Sequence, residues 1–327
     1  MTTPRVSVLV PAYNDAEFLP QGLDSLCLQS FTDFEVVISD DCSSDGTRAV
    51  AIHYAQSDAR FRLVSNEQNL GMTRNWNRAL REARGTYVVK LDADDALRPN
   101  ALRALVSAMD GPHCPSVAYC RALSCDETLQ PFASYLGDNA LIIKRMDPLS
   151  MHAKRGHEWF AYALEDIQLW HSNAQIHRRS TLLEMGGWDE SWGCAADTDL
   201  ILRVLERNEM VVHLPDVGVL YRHRFGSISD RYRREAWLSW ESTLVHLLSM
   251  TRYVAQGGQV NLAMRKAWWR YWAQWNRLQE QGVGVLDSLR TDIRDRLKAR
   301  MQQITPPPRR VRLEGGLRQW VWDRLHG

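Results

Sequence analysis

The chain has 327 residues, 45% of them hydrophobic, and 40 Lys+Arg against 39 Asp+Glu leave a formal net charge of +1. That size and apolar content suit one large catalytic domain or a medium domain with an appendage, and the charge balance excludes an overall field that would recruit nucleic acid. No apolar run approaches the roughly 20 residues that span a bilayer, and MTTPRVSVLVPAY enters a strand pattern where a signal peptide would stand, so a cytoplasmic or peripheral protein is expected.

Residues 5 to 123 alternate short β-branched runs with amphipathic helical patterns, the mark of a parallel α/β sheet. Val6 to Val10 reads as a near-continuous apolar strand, followed by a helix with Phe18, Leu19, Leu23, Leu26 and Cys27 on one face. Glu35 to Ser39 repeats the theme, and Ser43-Ser44-Asp45-Gly46-Thr47 supplies capping chemistry for a helix reaching about Gln56. Phe61 to Val64 is a third strand, Met72 to Arg84 a third helix closed by Gly85, and Tyr87 to Leu91 a fourth strand. A helix from about Pro99 to Met109 and a strand from Ser116 to Ala122 continue the sheet.

Periodicity fades over residues 124 to 165, read as a loop-rich, acceptor-facing stretch. It returns as a strand Ala174 to His177, a helix near Thr181 to Met185, the sequence Gly186-Gly187-Trp188-Asp189-Glu190, a helix from about Asp197 to Asn208, and strands near Val211 to His213 and Val217 to Tyr221. From about Asp230 the pattern is helical, with Met264, Trp268, Tyr271, Trp272, Trp275 and Leu278 in one stripe at spacings of three and four. The expected division is therefore a catalytic domain over 1–229, with halves at about 1–123 and 124–229, and a helical C-terminal extension over 230–327. Packing of the Trp stripe on the catalytic domain is the favoured reading. Its basic flanks, together with Trp320 and Trp322 beyond the break Pro306-Pro307-Pro308-Arg309-Arg310, also suit a peripheral contact with a membrane surface.

The strongest chemical signal is Asp92-Ala93-Asp94-Asp95 at the C-terminal end of the fourth strand, where open α/β sheets bind ligands. Three carboxylates in four residues repel one another unless a cation neutralises them, and Mn²⁺ or Mg²⁺, which take few protein carboxylates and complete their shell with phosphate oxygens and water, are the natural partners. A solvated Asp-rich turn is the competing reading, and for this motif alone it would prevail. Asp40-Asp41 ends the second strand on the same edge; an Asp carboxylate there can accept the imide N–H of uracil or thymine, or can serve as an Asx-turn. The six cysteines form no CxxC pair and no zinc spacing, so they read as thiols without a metal or redox role.

VSVLVPAYND, EVVISDDCSSDGT, NLGMTRNWNRALREARGTYVVKLDADD, GGWDE with Asp197-Thr198-Asp199, and Tyr221-Arg222 with Ser227-Ile228-Ser229 together resemble the family 2 glycosyltransferases of the GT-A fold over about residues 5 to 229. The resemblance implies a Rossmann-like, mainly parallel sheet flanked by helices, and an inverting transfer from a UDP- or dTDP-sugar to a saccharide or lipid-linked saccharide acceptor. It implies that Pro11, Ala12, Tyr13, Asn14, Asp41, Asn69, Gly71, Arg74, Asn77, Asp92, Ala93 and Asp94 bind the nucleotide, and that Asp94, Asp95 and His223 approach the metal. Asp197 matches the general base, and Trp188 with Asp189 the acceptor loop. For Trp188, a loop tryptophan anchored in the core is the competing and slightly favoured reading.

Two positions depart from the pattern. Trp76 precedes Asn77 where the family often has Arg, and Arg224 stands where a metal-binding His is usual, which makes Arg224 the candidate diphosphate cation. Two rival classes are weaker. A nucleotidyltransferase would need a Gly-rich basic loop where Pro11-Ala12-Tyr13-Asn14 stands, and a non-catalytic sugar-nucleotide-binding scaffold would need no full set of carboxylates.

Overall fold

The computed structural model describes residues 3–132, 150–165, 171–228, 230, 237–280, 301–304 and 306. Four parallel strands, β1 (Val6–Ala12), β2 (Phe34–Asp40), β3 (Phe61–Ser65) and β4 (Tyr87–Lys90), alternate with helices α1 (Leu19–Cys27), α2 (Thr47–Ser57) and α3 (Met72–Glu82). All residues of β1, β2 and β4 are buried, as expected for strands covered by helices on both faces. After the short β5 (Ala96–Leu97), α4 (Ala101–Met109) leads into β6 (Val117–Cys125) and then β7 (His152–Arg155), α5 (Gly156–Glu165) and a 3-10 turn Ser172–Ala174. β8 (Gln175–Arg178), α6 (Arg179–Glu184), α7 (Ala196–Glu206) and β9 (Met210–Arg222) complete the sheet, whose order is β3-β2-β1-β4-β8-β6-β9-β5 with β7 on β9.

β8 runs antiparallel to both β4 and β6, so the sheet is mixed beyond its first half. The two strands expected near residues 211 and 217 are one strand, β9, which keeps its pairing with β6 across a register shift between Tyr119 and Ala122. Such a bulge hides the continuity of a strand from a reading based on alternation. Of the stretch expected to be loop-rich, 133–149 lies outside the described residues, while β6, β7 and α5 take up most of the rest.

Strand alternation sorts the core into two faces. Val6, Val8 and Val10 of β1 pack with Leu19, Leu23, Leu102 and Leu105 on one side, whereas Leu9 and Val88 pack with Trp76, Leu80, Trp159 and Leu200 on the other. The C-terminal helices α8 (Trp237–Ala255) and α9 (Leu262–Glu280) join this second cluster. Met264, Trp268, Tyr271 and Trp275 are buried there, and Trp272 and Leu278 pack at its margin, which accounts for the Trp stripe. Among the described residues no helix is long and apolar enough to cross a membrane, and Trp320 and Trp322 lie outside them.

The packing carries a pH dependence. Burial pushes His177 down to about 3, and His213 and His246 down to about 4. A histidine kept neutral in the fold but free to protonate when unfolded contributes stability that is complete above pH ~6.5 and is lost as pH falls from there toward the folded values. Each costs about 1.4 kcal/mol per pH unit in that window, so the three together should remove about 4 kcal/mol between pH 7.5 and 5.5, against a typical total of about 5–15 kcal/mol. Urea unfolding at the two pH values should show a loss smaller by about 1.4 kcal/mol in His177→Gln than in the wild type; an equal loss in both would refute the assignment.

Candidate active site

The ends of β1 and β2 are laced together by short polar side chains. Asn14 N donates to Ser43 Oγ (3.0 Å), Ser44 N to Asn14 Oδ1 (2.9 Å), Asp15 N to Thr47 Oγ1 (2.7 Å) and Ala16 N to Asp45 Oδ2 (3.1 Å). Asn14 and Cys42 take left-handed backbone, φ 54° and 61°, which turns both loops toward one rim. Pro11 and Ala12 are buried in the floor of this rim and Tyr13 is 47% exposed on it.

Asp40 accepts from Ser43 N and from Arg48 Nε (3.0 Å) and holds the turn. Asp41 is 2% exposed and receives Leu70 N (2.8 Å) and Asn66 Nδ2 (2.9 Å) on Oδ1 and Gly71 N (2.9 Å) on Oδ2, while Asn69 Nδ2 lies 3.4 Å from its carbonyl. Asp41 thus ties the loop before α3 to β2, and one lone pair on Oδ2 is left for a further donor.

At the end of β4 the acidic run splits into different environments. Asp95 is fully buried, accepting from Arg222 N (2.8 Å) and from the Asn173 amide, and burial followed by Asp94 and Asp92 raises its pKa well above the usual carboxylate range. Both of its oxygens serve the join between β4, β9 and the 3-10 turn. Asp92 and Asp94 remain at the surface of the cleft, with side chains 33% and 19% exposed. Asp94 Oδ2 accepts from Arg224 Nε (2.7 Å), and the same guanidinium reaches Asp15 Oδ1 (2.9 Å). Burial, with Asp94 as a lesser cause, lifts Asp15 to about 6.

Arg222 fixes this end of β9 by donating to the Asp94 carbonyl (2.6 Å) and Gln21 (2.6 Å). Between the two arginines, His223 packs against Tyr221 (4.8 Å) and Phe132 (5.7 Å) and lies 3.0 Å from Ser124 Oγ. Tyr221 in turn stacks 4.2 Å from His171. The three expected metal residues therefore meet different neighbours: Asp94 faces Arg224, Asp95 is enclosed, and His223 joins a run of aromatic rings. Among the described residues no group of three His, Cys, Asp or Glu converges as a metal cluster. The donor set fits an ion held by the single carboxylate Asp94, with non-protein oxygens completing its shell.

The candidate base enters from the opposite side. Asp197 stands in the first turn of α7, its Oδ1 accepting from Trp188 Nε1 (2.9 Å) and its Oδ2 lying 3.5 Å from Lys90 Nζ. Burial raises its pKa while Lys90 opposes that rise, and the net shift is upward. Trp188 is 2% exposed, so its ring has no open face on which a sugar could stack; it is an orienting donor held in the core.

The reason is Asn77, whose Nδ2 donates to Trp188 O (2.7 Å) and whose Oδ1 accepts from Trp188 N (2.9 Å). Asn77 is thus committed to the GGWDE loop, and Arg74 pairs there too, with Glu190 (3.3 Å). Gly187 is required at this join: φ is 72°, and a Cβ would collide with Asn77 Oδ1. Asp189 caps its own loop by accepting from Ser191 N (3.0 Å).

Two contributors to this site were not singled out from the sequence. Lys90 is buried, yet donates to Asp92 Oδ1 (2.7 Å); a charged residue in a fully buried strand was the available signal. Glu241 of α8 accepts from Gly193 N (3.0 Å) and Ala195 N (2.9 Å), fixing from a distant helix the turn that leads into α7. No local spacing signals that pairing. Arg203 of α7 adds a second tie, donating to Gly187 O (2.8 Å) and Met185 O (3.1 Å).

Residues 7–163 match the model of the family described as Glycosyl transferase family 2. The putative teichuronic acid biosynthesis glycosyltransferase TuaG of Bacillus subtilis is 37% identical over 111 residues, which are 34% of this chain and 44% of that protein. The chain spans 24% and 30% of the length of two other curated relatives. Among solved structures, S. aureus TarS 1-349 in complex with UDP-GlcNAc has a TM-score of 0.57 at 19% identity, covering 91% of this chain and 88% of that one. The mannosyltransferase PcManGT from Pyrobaculum calidifontis, in complex with GDP-Man and Mn2+, has a TM-score of 0.51 at 19% identity, covering 93% and 86%. These likenesses give the mixed α/β architecture, a central sheet flanked by helices, as that of GT-A glycosyltransferases.

Proposed function

We propose, from the match of residues 7–163 to glycosyl transferase family 2 and the site geometry, that the protein is an inverting glycosyltransferase moving a sugar from a UDP- or dTDP-sugar to a hydroxyl of a saccharide or lipid-linked saccharide in cell-surface polysaccharide assembly. The observation that carries this reading is the meeting of a donor-side carboxylate, Asp92, with the α7 carboxylate, Asp197, at one ammonium, 2.7 and 3.5 Å away. A base and a nucleotide-binding edge then share one cleft. The polysaccharide setting rests on two relatives, the putative teichuronic acid biosynthesis glycosyltransferase TuaG and the succinoglycan biosynthesis protein ExoO.

In this reading Asp197 takes the proton of the acceptor hydroxyl as its oxygen attacks the anomeric carbon. The bond from that carbon to the diphosphate breaks with its electron pair leaving on the diphosphate, and one displacement inverts the configuration. A divalent ion on Asp94 would neutralise the leaving diphosphate. Arg224, already between Asp94 and Asp15, is the cation placed to share that work. Asp95 acts one step behind, fixing β9 so that Arg224 faces Asp94. The base ring lies by Tyr13, with its imide proton directed to Asp41 Oδ2. The exposed end of the ring series Tyr221, His223 and Phe132, the last 40% exposed, is the acceptor-side wall in place of Trp188.

Titration calorimetry with UDP, dTDP and GDP in Mn²⁺ and in chelator tests the donor assignment. UDP or dTDP should bind at least about tenfold more tightly than GDP, the worth of one good hydrogen bond, and chelator should weaken that binding. Equal affinity for GDP and UDP would remove the imide contact at Asp41.

A further inference from the structure

Lys90 is the feature of the site that the family resemblance does not use. It is the last residue of β4, paired in register with Leu9 of β1, and its side chain is 2% exposed. An ammonium so placed needs partners to stay charged. It has three. Asp92 Oδ1 lies 2.7 Å away, Asp197 Oδ2 lies 3.5 Å away, and the face of Trp76 lies 4.0 Å from Nζ.

These contacts close a ring. Trp76 meets Trp188 edge to face at 5.7 Å, and Trp188 Nε1 donates to the other oxygen of Asp197. The tryptophan that departs from the family pattern before Asn77 is therefore the seat of this ammonium. Burial works against the charge of Lys90, but Asp197 and Asp92 outweigh it and its pKa lies above that of an ordinary lysine.

We propose that Lys90 is a positioning residue that, with Trp188, fixes the Asp197 carboxylate in its acceptor-facing orientation, keeps it ionised, and joins it to the donor-side Asp92. This rests on the role of Asp197 given above. A carboxylate with one oxygen on an indole N–H and the other beside an ammonium has little freedom to rotate. The groups facing Asp197 are Lys90 and the acid Asp92 from β4 and the turn after it, the Trp188 N–H from the GGWDE loop and the Ser172 hydroxyl from the 3-10 turn. Of these Lys90 is the cation, so its removal leaves Asp92 repelling Asp197 without an opposing charge.

The experiment compares the wild-type protein, Lys90→Met and Trp188→Phe, following nucleotide release from UDP- or dTDP-sugar across pH, with UDP affinity measured by calorimetry. Methionine matches the length of the lysine stem and keeps contact with Trp76. Removing an opposite charge at this distance raises a carboxylate pKa by about one unit or more. The acidic limb of the kcat profile should therefore move up by about one pH unit for Lys90→Met, with kcat on that limb down about tenfold and KM for the donor within about threefold.

Trp188→Phe removes one hydrogen bond and should move the limb the same way by less, so the test survives if Lys90→Met does not fold. A folded Lys90→Met with an unmoved limb and kcat within about twofold would overturn the proposal, as would an unmoved limb in Trp188→Phe when that is the only variant to fold. Failure of the underlying reading looks different: the wild type would release no nucleotide from any donor, or Asp197→Asn would retain its activity.

Discussion

Asp197→Asn should lower kcat for sugar transfer by about a thousandfold, the scale of a lost general base, while UDP affinity measured by calorimetry stays within about threefold. The substitution is close to isosteric, and Trp188 Nε1 can still donate to the remaining oxygen, so the loop and α7 have no reason to move. Binding is expected to survive because the candidate nucleotide contacts lie at the β1, β2 and β4 ends, on α3 and the loop before it, and just after β9, whereas Asp197 enters from α7. The wild-type pH profile supplies an independent check. Asp197 must be ionised to accept a proton, and burial raises its pKa. Rate should therefore fall with decreasing pH at a point above the ordinary carboxylate range, and the acidic limb should vanish in Asp197→Asn. Retained turnover would remove Asp197 from its role.

Asp94→Asn should cut kcat/KM for the donor by at least about a hundredfold, equivalent to about 2.7 kcal/mol at the transition state. It should also abolish the difference between UDP binding in Mn²⁺ and in chelator. Of the three neighbouring acids, Asp95 has both oxygens on protein donors and Asp92 is bound by Lys90, which leaves Asp94 as the carboxylate facing the cleft, paired with Arg224. That partner, Arg224, keeps Asp15 as an acceptor in the variant, so the arginine is not stranded. UDP binding that still responds to Mn²⁺ in Asp94→Asn would move the ion elsewhere.

The first half of the sheet was legible because its strands are buried on both faces and its helices amphipathic, patterns that sequence periodicity reports directly. The location of Asp92 to Asp95 at the end of β4 followed from the same pattern. What each acid does there did not follow. Asp92, Asp94 and Asp95 differ by which partner the rest of the chain brings to them, and Arg222, Arg224 and Asn173 stand 127, 130 and 78 residues away from the acids they bind.

Asn77 was illegible for the same reason. Its amide pairs with a backbone 111 residues downstream, so an amide expected at the nucleotide instead sets the loop that orients Trp188. Trp188 shows the limit of arguing from residue type: a tryptophan in a Gly-rich loop suits sugar stacking or, slightly better, core anchoring, and the structure buries it with its N–H on Asp197. The docking of α8 and α9 was expected from the stripe of aromatic residues, yet its chemical content, the Glu241 carboxylate on the amides of the turn before α7, depends on one residue in a long helix.

That carboxylate imposes an order on the birth of the protein. As the chain is synthesised, every candidate donor residue and Asp197 itself are made before Glu241. Until then the amides of Gly193 and Ala195 have only water as acceptor, and the turn that leads into α7 is untied. Arg252, which pairs with Glu206 at the other end of α7, arrives later still. The candidate nucleotide edge is thus in the chain before either of the ties that α8 supplies to the start and the end of α7.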